Sequence, residues 1–394
     1  MHARHCGLAR RDFLKAAGAT AVSLGIGSPL GLVLGRDTAS KGPDSALVGL
    51  ARGSNIAEAV QQAVKLAGGM DFIKADQTVL IKPNVTGAKK TPTTTNPEVL
   101  YGVIKVVAER GPKRILVSDR CFSPVFKTET PTTISVMERV GHIAAIKQAQ
   151  SETKVPVVAV GLEAAEEELE RLGKPKGTPM WRKIKPEGAT HWANGFELAE
   201  LLFAVDHVIN VPVIKTHFQA WFTMSMKAFV GMSHHRTRRE FHGAYVGEGV
   251  SLGDQKRTSS RRRGVKKDLE QEAKEVSPFV NRIAELNLGI RPAMNILDGS
   301  NSFVFGGPSE GDEAHPNVIV ASTDRIAADA TGVAVLKAQT GGTEDRLQKC
   351  SVWNTPFLKH GIKIGLGIDS VQKLNLKAGG VPADEVEKIK AMLV

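Results

Sequence analysis

Thr78-Val79-Leu80-Ile81-Lys82-Pro83-Asn84-Val85 reads as a strand covered on both faces. Val79, Leu80 and Ile81 follow one another without the alternation that a strand wet on one face shows, and Pro83 closes the run. Similar short apolar runs recur at 114–119, 155–160, 207–213, 294–298 and 317–322. Helical stretches are predicted between them, at 56–67, 97–110, 134–150, 163–171, 196–204, 268–286 and 325–338. Pro97 after Asn96 suits a helix start, and Gly111-Pro112 suits a stop. The alternation predicts an α/β fold: a mostly parallel sheet flanked by helices in Rossmann-like layers, with a long basic insertion. Such sheets bind ligands at the carboxyl ends of their strands, where Asn84, Asp119, Lys215, Asp298 and Asp324 fall.

Composition excludes some classes of function. Hydrophobic residues make up 42% of the 394 and charged residues 24%, ordinary values for a globular chain. The net charge of +11 is concentrated at two places. Residues 1–36 carry five Lys/Arg against Asp12, and 234–268 carry ten against four Asp/Glu, so the rest is close to neutral. The basic run has little aromatic interleaving, so no nucleic-acid partner is expected. Cys6, Cys121 and Cys350 cannot supply a four-thiolate cluster, so no cysteine-ligated iron–sulfur centre is expected within the chain. Cys121 and Cys350 read as buried free thiols, with pairing open to them in an oxidising compartment.

At the N-terminus, Arg10-Arg11-Asp12-Phe13-Leu14-Lys15 precedes an uncharged stretch rich in Ala and Gly at 16–34. This resembles a twin-arginine (Tat) export signal, with Ala9 departing from the Ser or Thr that often precedes the pair. The resemblance implies the Tat translocase as a partner and a periplasmic or other extracytoplasmic destination. Without a clean Ala-x-Ala site, an uncleaved signal would anchor the chain. No other segment reaches the roughly 18 apolar residues that span a bilayer.

Four blocks follow in order: Ile81–Val85 with Thr93-Thr94-Thr95-Asn96-Pro97; Asn210-Val211-Pro212-Val213-Ile214-Lys215-Thr216-His217 with Met226-Lys227-Ala228-Phe229-Val230-Gly231; Leu297-Asp298-Gly299 with Gly306-Gly307-Pro308; and Ala321-Ser322-Thr323-Asp324 with Ala327-Ala328-Asp329. Together they resemble the domain-of-unknown-function 362 family, from about residue 45 to about 375. The resulting organisation is a signal segment at 1–36 and one α/β domain at 45–394, with loop insertions at 171–192 and 233–267. The resemblance implies an α/β fold and assigns no reaction. Several relatives carry an attached iron–sulfur module that this chain lacks.

Lys82, Lys215 and Lys227 stand in or beside apolar runs, where an ammonium is costly unless it meets a carboxylate or an anionic ligand. A snorkelling lysine at a strand end is the plainer alternative. Asn84, Thr94 and Thr95 precede a helix N-terminus that suits phosphate or carboxylate, or serve only as caps. Asp119, Asp298 and Gly307 complete the candidate ligand-binding set. His217 is the candidate acid or base, with Lys215 and Lys227 as its catalytic companions. A divalent metal would draw on His217, His234 and Asp298, with His235, His242 and Asp119 nearby in kind. Asp298, Asp324 and Asp329 are candidate carboxylate ligands or bases, with capping the better reading for Asp324, and 256–267 reads as a solvated loop or a lid over an anionic substrate. Two functions remain open: an exported enzyme acting on or binding an anionic small molecule, metal-assisted or not, and a non-catalytic accessory protein for metal or redox partners of the cell envelope.

Overall fold

A computed structural model of the chain describes residues 43–121, 132–246, 268–339 and 343–394. The twin-arginine segment and the run at 256–267 lie outside the described residues. The strands are β1 (Ala46–Ala51), β2 (Thr78–Pro83), β3 (Arg114–Asp119), β4 (Val157–Gly161), β5 (Trp181–Ile184), β6 (Phe196–Ala199), β7 (His207–Val211), β8 (Lys215–His217), β9 (Trp221–Thr223), β10 (Met294–Gly299), β11 (Ser302–Gly306), β12 (Gly311–Ala314), β13 (Val318–Ser322) and β14 (Leu374–Gly379). The helices are α1 (Ile56–Leu66), α2 (Pro97–Ala108), α3 (Thr133–Arg139), α4 (His142–Thr153), α5 (Glu166–Arg171), α6 (Ser225–Ala228), α7 (His235–Val246), α8 (Leu269–Leu286), α9 (Arg325–Lys337), α10 (Asp345–Lys349), α11 (Pro356–Lys363) and α12 (Ala383–Leu393).

Eight strands form the central sheet in the order β14-β1-β13-β10-β7-β2-β3-β4. All run parallel except β13, which is antiparallel to both β1 and β10. This is the α/β architecture expected from the apolar runs. Period-two geometry splits each strand between two cores. Val79, Ile81, Ile115, Val117 and Ile209 pack in the core that holds α1, α2 and α4. Leu80, Leu116, Val208, Leu297 and Val320 face the other, which holds α8, α9 and α11. Every residue of β2 is buried, which explains why its sequence is apolar without a break.

The local signals act as sequence chemistry dictates. Asn96 caps α2 by accepting from the Glu98 amide at 3.0 Å, with Pro97 in the first turn. Gly111, at φ 66°, turns the chain out of that helix. Three predicted elements differ. The helix expected over 134–150 is two helices, broken at Gly141 with φ 92°. The helix expected at 196–204 begins as strand β6, because Phe196 and Leu198 alternate inward and pair with β5, itself inside the expected loop at 171–192. Within the insertion at 233–267, 235–246 is helix α7. Cys121 and Cys350 are not joined by a disulfide; Cys121 is buried as expected, and Cys350 is only half-buried. Among the described residues, no helix is long and apolar enough to cross a membrane.

Asp324 does more than cap α9. One carboxylate oxygen accepts from the Ala327 amide at 2.8 Å, and the other from the Ile368 amide at 2.8 Å. The side chain thus ties the helix start to the segment leading to β14. Asp324→Ala removes the cap and strands a buried amide, a loss of about 2–4 kcal/mol. The midpoint of urea unfolding measures it; a change below about 0.5 kcal/mol, the level of an inert surface substitution, would contradict this role.

Candidate functional site

From β2 the chain proceeds outward to β3 and β4, then returns to the other side of β2 to lay down β7 and β10. The strand order therefore reverses between β2 and β7, and the crevice at their carboxyl ends is where α/β sheets place ligands. Thr95 lies across it. Its hydroxyl accepts from the Asn84 amide at 2.8 Å and donates to the Val211 carbonyl at 2.7 Å, joining the ends of β2 and β7. The neighbouring threonines pin the same loop: Thr94 donates to the Lys89 carbonyl at 3.0 Å and Thr93 to the Ser309 carbonyl at 3.3 Å. The Asn84 side chain accepts from the Thr86 hydroxyl at 3.0 Å. At the start of α2 the anion is internal: Asp298 accepts from the Asn96 amide at 2.7 Å, and from the Ser300 amide and hydroxyl at 3.0 and 2.7 Å. Burial raises the Asp298 pKa against the pull of these donors.

The three lysines are brought to this edge in three different states. Lys82, fully buried, forms an ion pair with Asp119 at 2.9 Å and donates to its neighbour's carbonyl, on Pro83, at 2.8 Å. Burial lowers its pKa, Asp119 opposes that, and Arg238 adds to it. The other Asp119 oxygen accepts from the Val85 amide at 2.7 Å. Gly231 lies directly against Asp119, where a Cβ atom would overlap the carboxylate.

Lys215, also fully buried, donates to the carbonyls of Thr93 at 2.6 Å and Pro308 at 3.0 Å. Burial drives its pKa well below the ordinary value, Lys227 lowers it further, and Asp298 opposes. These carbonyls take two of the three N–H donors that an ammonium carries, and neither offers a countercharge. Lys227 is partly exposed, and its ammonium has no hydrogen-bond partner among the described residues. Burial, then Arg238, lowers its pKa to about 8. Arg238, which donates to the carbonyls of Ser233 and Gly231 at 3.1 Å each, is itself lowered to about 10 by burial and by Arg120.

Asp329 sets the position of Lys227. Buried in α9, it accepts from the amides of Ser225 at 2.6 Å and Met226 at 3.2 Å, the start of the short helix α6 that carries the lysine. The candidate histidines have other partners. His217 Nδ1 accepts from the amides of Gln219 at 3.1 Å and Ala220 at 3.2 Å, which holds the turn into β9. His234 pairs with Glu197 at 3.0 Å and packs against Trp181 and His235. Gly307, at φ 64°, lets the turn after β11 lie against the Thr216 carbonyl, where a Cβ atom would clash. Among the described residues, the His, Asp, Glu and Cys side chains close enough to share a metal ion are His191, Glu285 and His360, not the expected His217, His234 and Asp298. Arg238 carries a share of the site that sequence reading did not assign, and Asp329, a candidate carboxylate ligand or base by sequence, accepts from the amides at the start of α6.

The chain belongs to the family described as Domain of unknown function (DUF362), whose profile matches residues 79–334. It is similar to the thylakoid-associated protein sll1697 of Synechocystis sp., 23% identical over 265 residues, and spans 66% of this chain and 64% of that protein. A crystal structure of a Thermotoga maritima protein resembles it with a TM-score of 0.34 and 12% identity, over 85% of this chain and 89% of that one.

Asp329 also sets a pH dependence. Burial raises its pKa to about 7 against the donors from Ser225 and Met226. An unfolded aspartate ionises near pH ~3.9, so between about pH 4 and pH 7 the folded chain holds a proton that the unfolded chain has lost. The stabilisation from that proton is complete below about pH 4, declines as pH rises and is gone above about pH 7, a total on the order of 4 kcal/mol. Denaturation midpoints across this range test it: Asp329→Asn keeps a neutral side chain, so the wild type should lose stability relative to it as pH rises from about 4 to about 7. A constant difference would contradict the raised pKa.

Proposed function

We propose that the chain binds the oxyanion of a small molecule, a phosphate or carboxylate, at the carboxyl edge of the sheet beside the β2–β7 crevice. The observation that carries this reading is Lys227, a half-buried lysine whose ammonium has no hydrogen-bond partner among the described residues and which lies close enough to Lys215 and Arg238 to interact with both. Lys82 is neutralised by Asp119, and Asp298 is occupied at the start of α2. Among the described residues no carboxylate pairs with Lys227, and an external anion would supply the missing charge. Lys215 would give a catalytic version of the site its base or nucleophile.

Inorganic phosphate and small dicarboxylates serve as probes. They should raise the thermal midpoint of the wild type and leave that of Lys227→Met unchanged. The shift should fade as pH rises through about 8, where Lys227 loses its proton. Equal shifts in both proteins would overturn the assignment.

We also propose export by the Tat route, on the strength of Arg10-Arg11 and the uncharged stretch that follows. Replacing both arginines by lysine should leave the chain in the cytoplasm in cell fractionation. Unchanged delivery to the envelope would dismiss the route.

A further inference from the structure

Away from the lysine cluster, three side chains from distant parts of the chain meet. His191 precedes the buried Trp192, Glu285 lies on α8 and His360 on α11. His191 Nδ1 is 2.6 Å and His360 Nε2 is 3.2 Å from the same Glu285 oxygen, Oε1. The two imidazole rings meet edge to face, with centroids 5.3 Å apart. The geometry points to a divalent transition-metal site with His191 Nδ1, Glu285 Oε1 and His360 Nε2 as ligands, and a fourth position open to water or a small ligand.

Several features fit a metal better than a chance cluster. The three ligand atoms lie within 4.8 Å of one another. Tetrahedral zinc at about 2.0–2.1 Å sets its ligands about 3.3–3.4 Å apart, so small side-chain rotations complete the set. The ligand types are those of open, three-ligand zinc sites, two imidazoles and one carboxylate. Supporting contacts already fix their orientation. The second Glu285 oxygen accepts from the His191 amide at 3.0 Å, and the Thr190 hydroxyl donates to Oε1 at 3.2 Å. The Asn281 amide meets His191 Nε2 at 3.3 Å. Arg282 donates to the His191 carbonyl at 3.0 Å, and the Trp192 indole donates to the Arg282 carbonyl at 3.0 Å, so the turn is clamped to α8. Glu285 is fully buried and His360 nearly so, while the His191 side chain is 34% exposed and gives an ion its path in.

Without metal, each imidazole donates its proton to Glu285. On binding, each proton moves to the far nitrogen, and no net proton need leave. The Asn281 amide then turns its oxygen toward His191 Nε2–H, the usual support for a ligating histidine.

The test uses the full chain stripped with a chelator. Zn2+ is titrated against the thermal midpoint, and Co2+ against visible absorption. One ion per chain should bind, raise the midpoint and give the intense bands of tetrahedral cobalt. His191→Asn and His360→Gln should each weaken binding by at least about 10-fold. Glu285→Gln, close to the native shape, tests the same set should a histidine variant lose its folded circular dichroism. Lys227→Met should bind metal as the wild type does, which separates this site from the anion site. No uptake by the wild type, or unchanged affinity in folded His191, His360 and Glu285 variants, would overturn the proposal.

Discussion

At the ends of β2 and β3, Lys82 and Asp119 face each other at 2.9 Å with almost no exposure of either side chain. Placing two charges there is expensive, and removing one partner from such a pair typically costs about 3–5 kcal/mol. Well-packed apolar residues often match or exceed the stability of such a pair. What the ion pair adds is connection. Asp119 also takes the Val85 amide, and it seats the backbone of Gly231, in the segment that follows Lys227. One carboxylate thereby joins the end of β2, the end of β3 and the chain after α6. The cationic edge depends on that junction.

The charges around the junction do not cancel. Lys82, Lys215, Lys227, Arg238 and Arg120 act on one another there, and the opposing carboxylates are Asp119 and Asp298. The depressed pKa values of the lysines follow from burial and from this crowding. A cluster of this kind has two outlets: a lysine gives up its proton, or an anion arrives. Lys215, enclosed between two carbonyls, suits the first. Lys227, partly exposed and held in place through Asp329, suits the second.

Much of this was legible in the sequence, for physical reasons. β2, β3, β7, β10 and β13 are covered on both faces, so their apolar runs are continuous and visible. β14 lies at the sheet edge with partly wet faces, and β8 and β9 are three residues each, so none leaves a clear pattern. The three lysines stood out because an ammonium in an apolar run is costly. Their different fates depend on partners far away in sequence: Lys82 meets Asp119, and Lys215 meets Thr93 and Pro308. For the same reason His191, Glu285 and His360 gave no spacing signal, since each comes from a separate element. The family resemblance drawn from the four ordered blocks holds, with the matched region at 79–334.

The central claim is that Lys227 is the cation awaiting an anion. Lysine labelled with carbon-13 at Cε, followed by NMR through a pH titration, reads it directly once Lys227→Met assigns the signal. The account predicts a titration midpoint near 8 in the free chain, moving upward when phosphate or a dicarboxylate is added. A midpoint near the ordinary lysine value of about 10.4, unmoved by either anion, would contradict it.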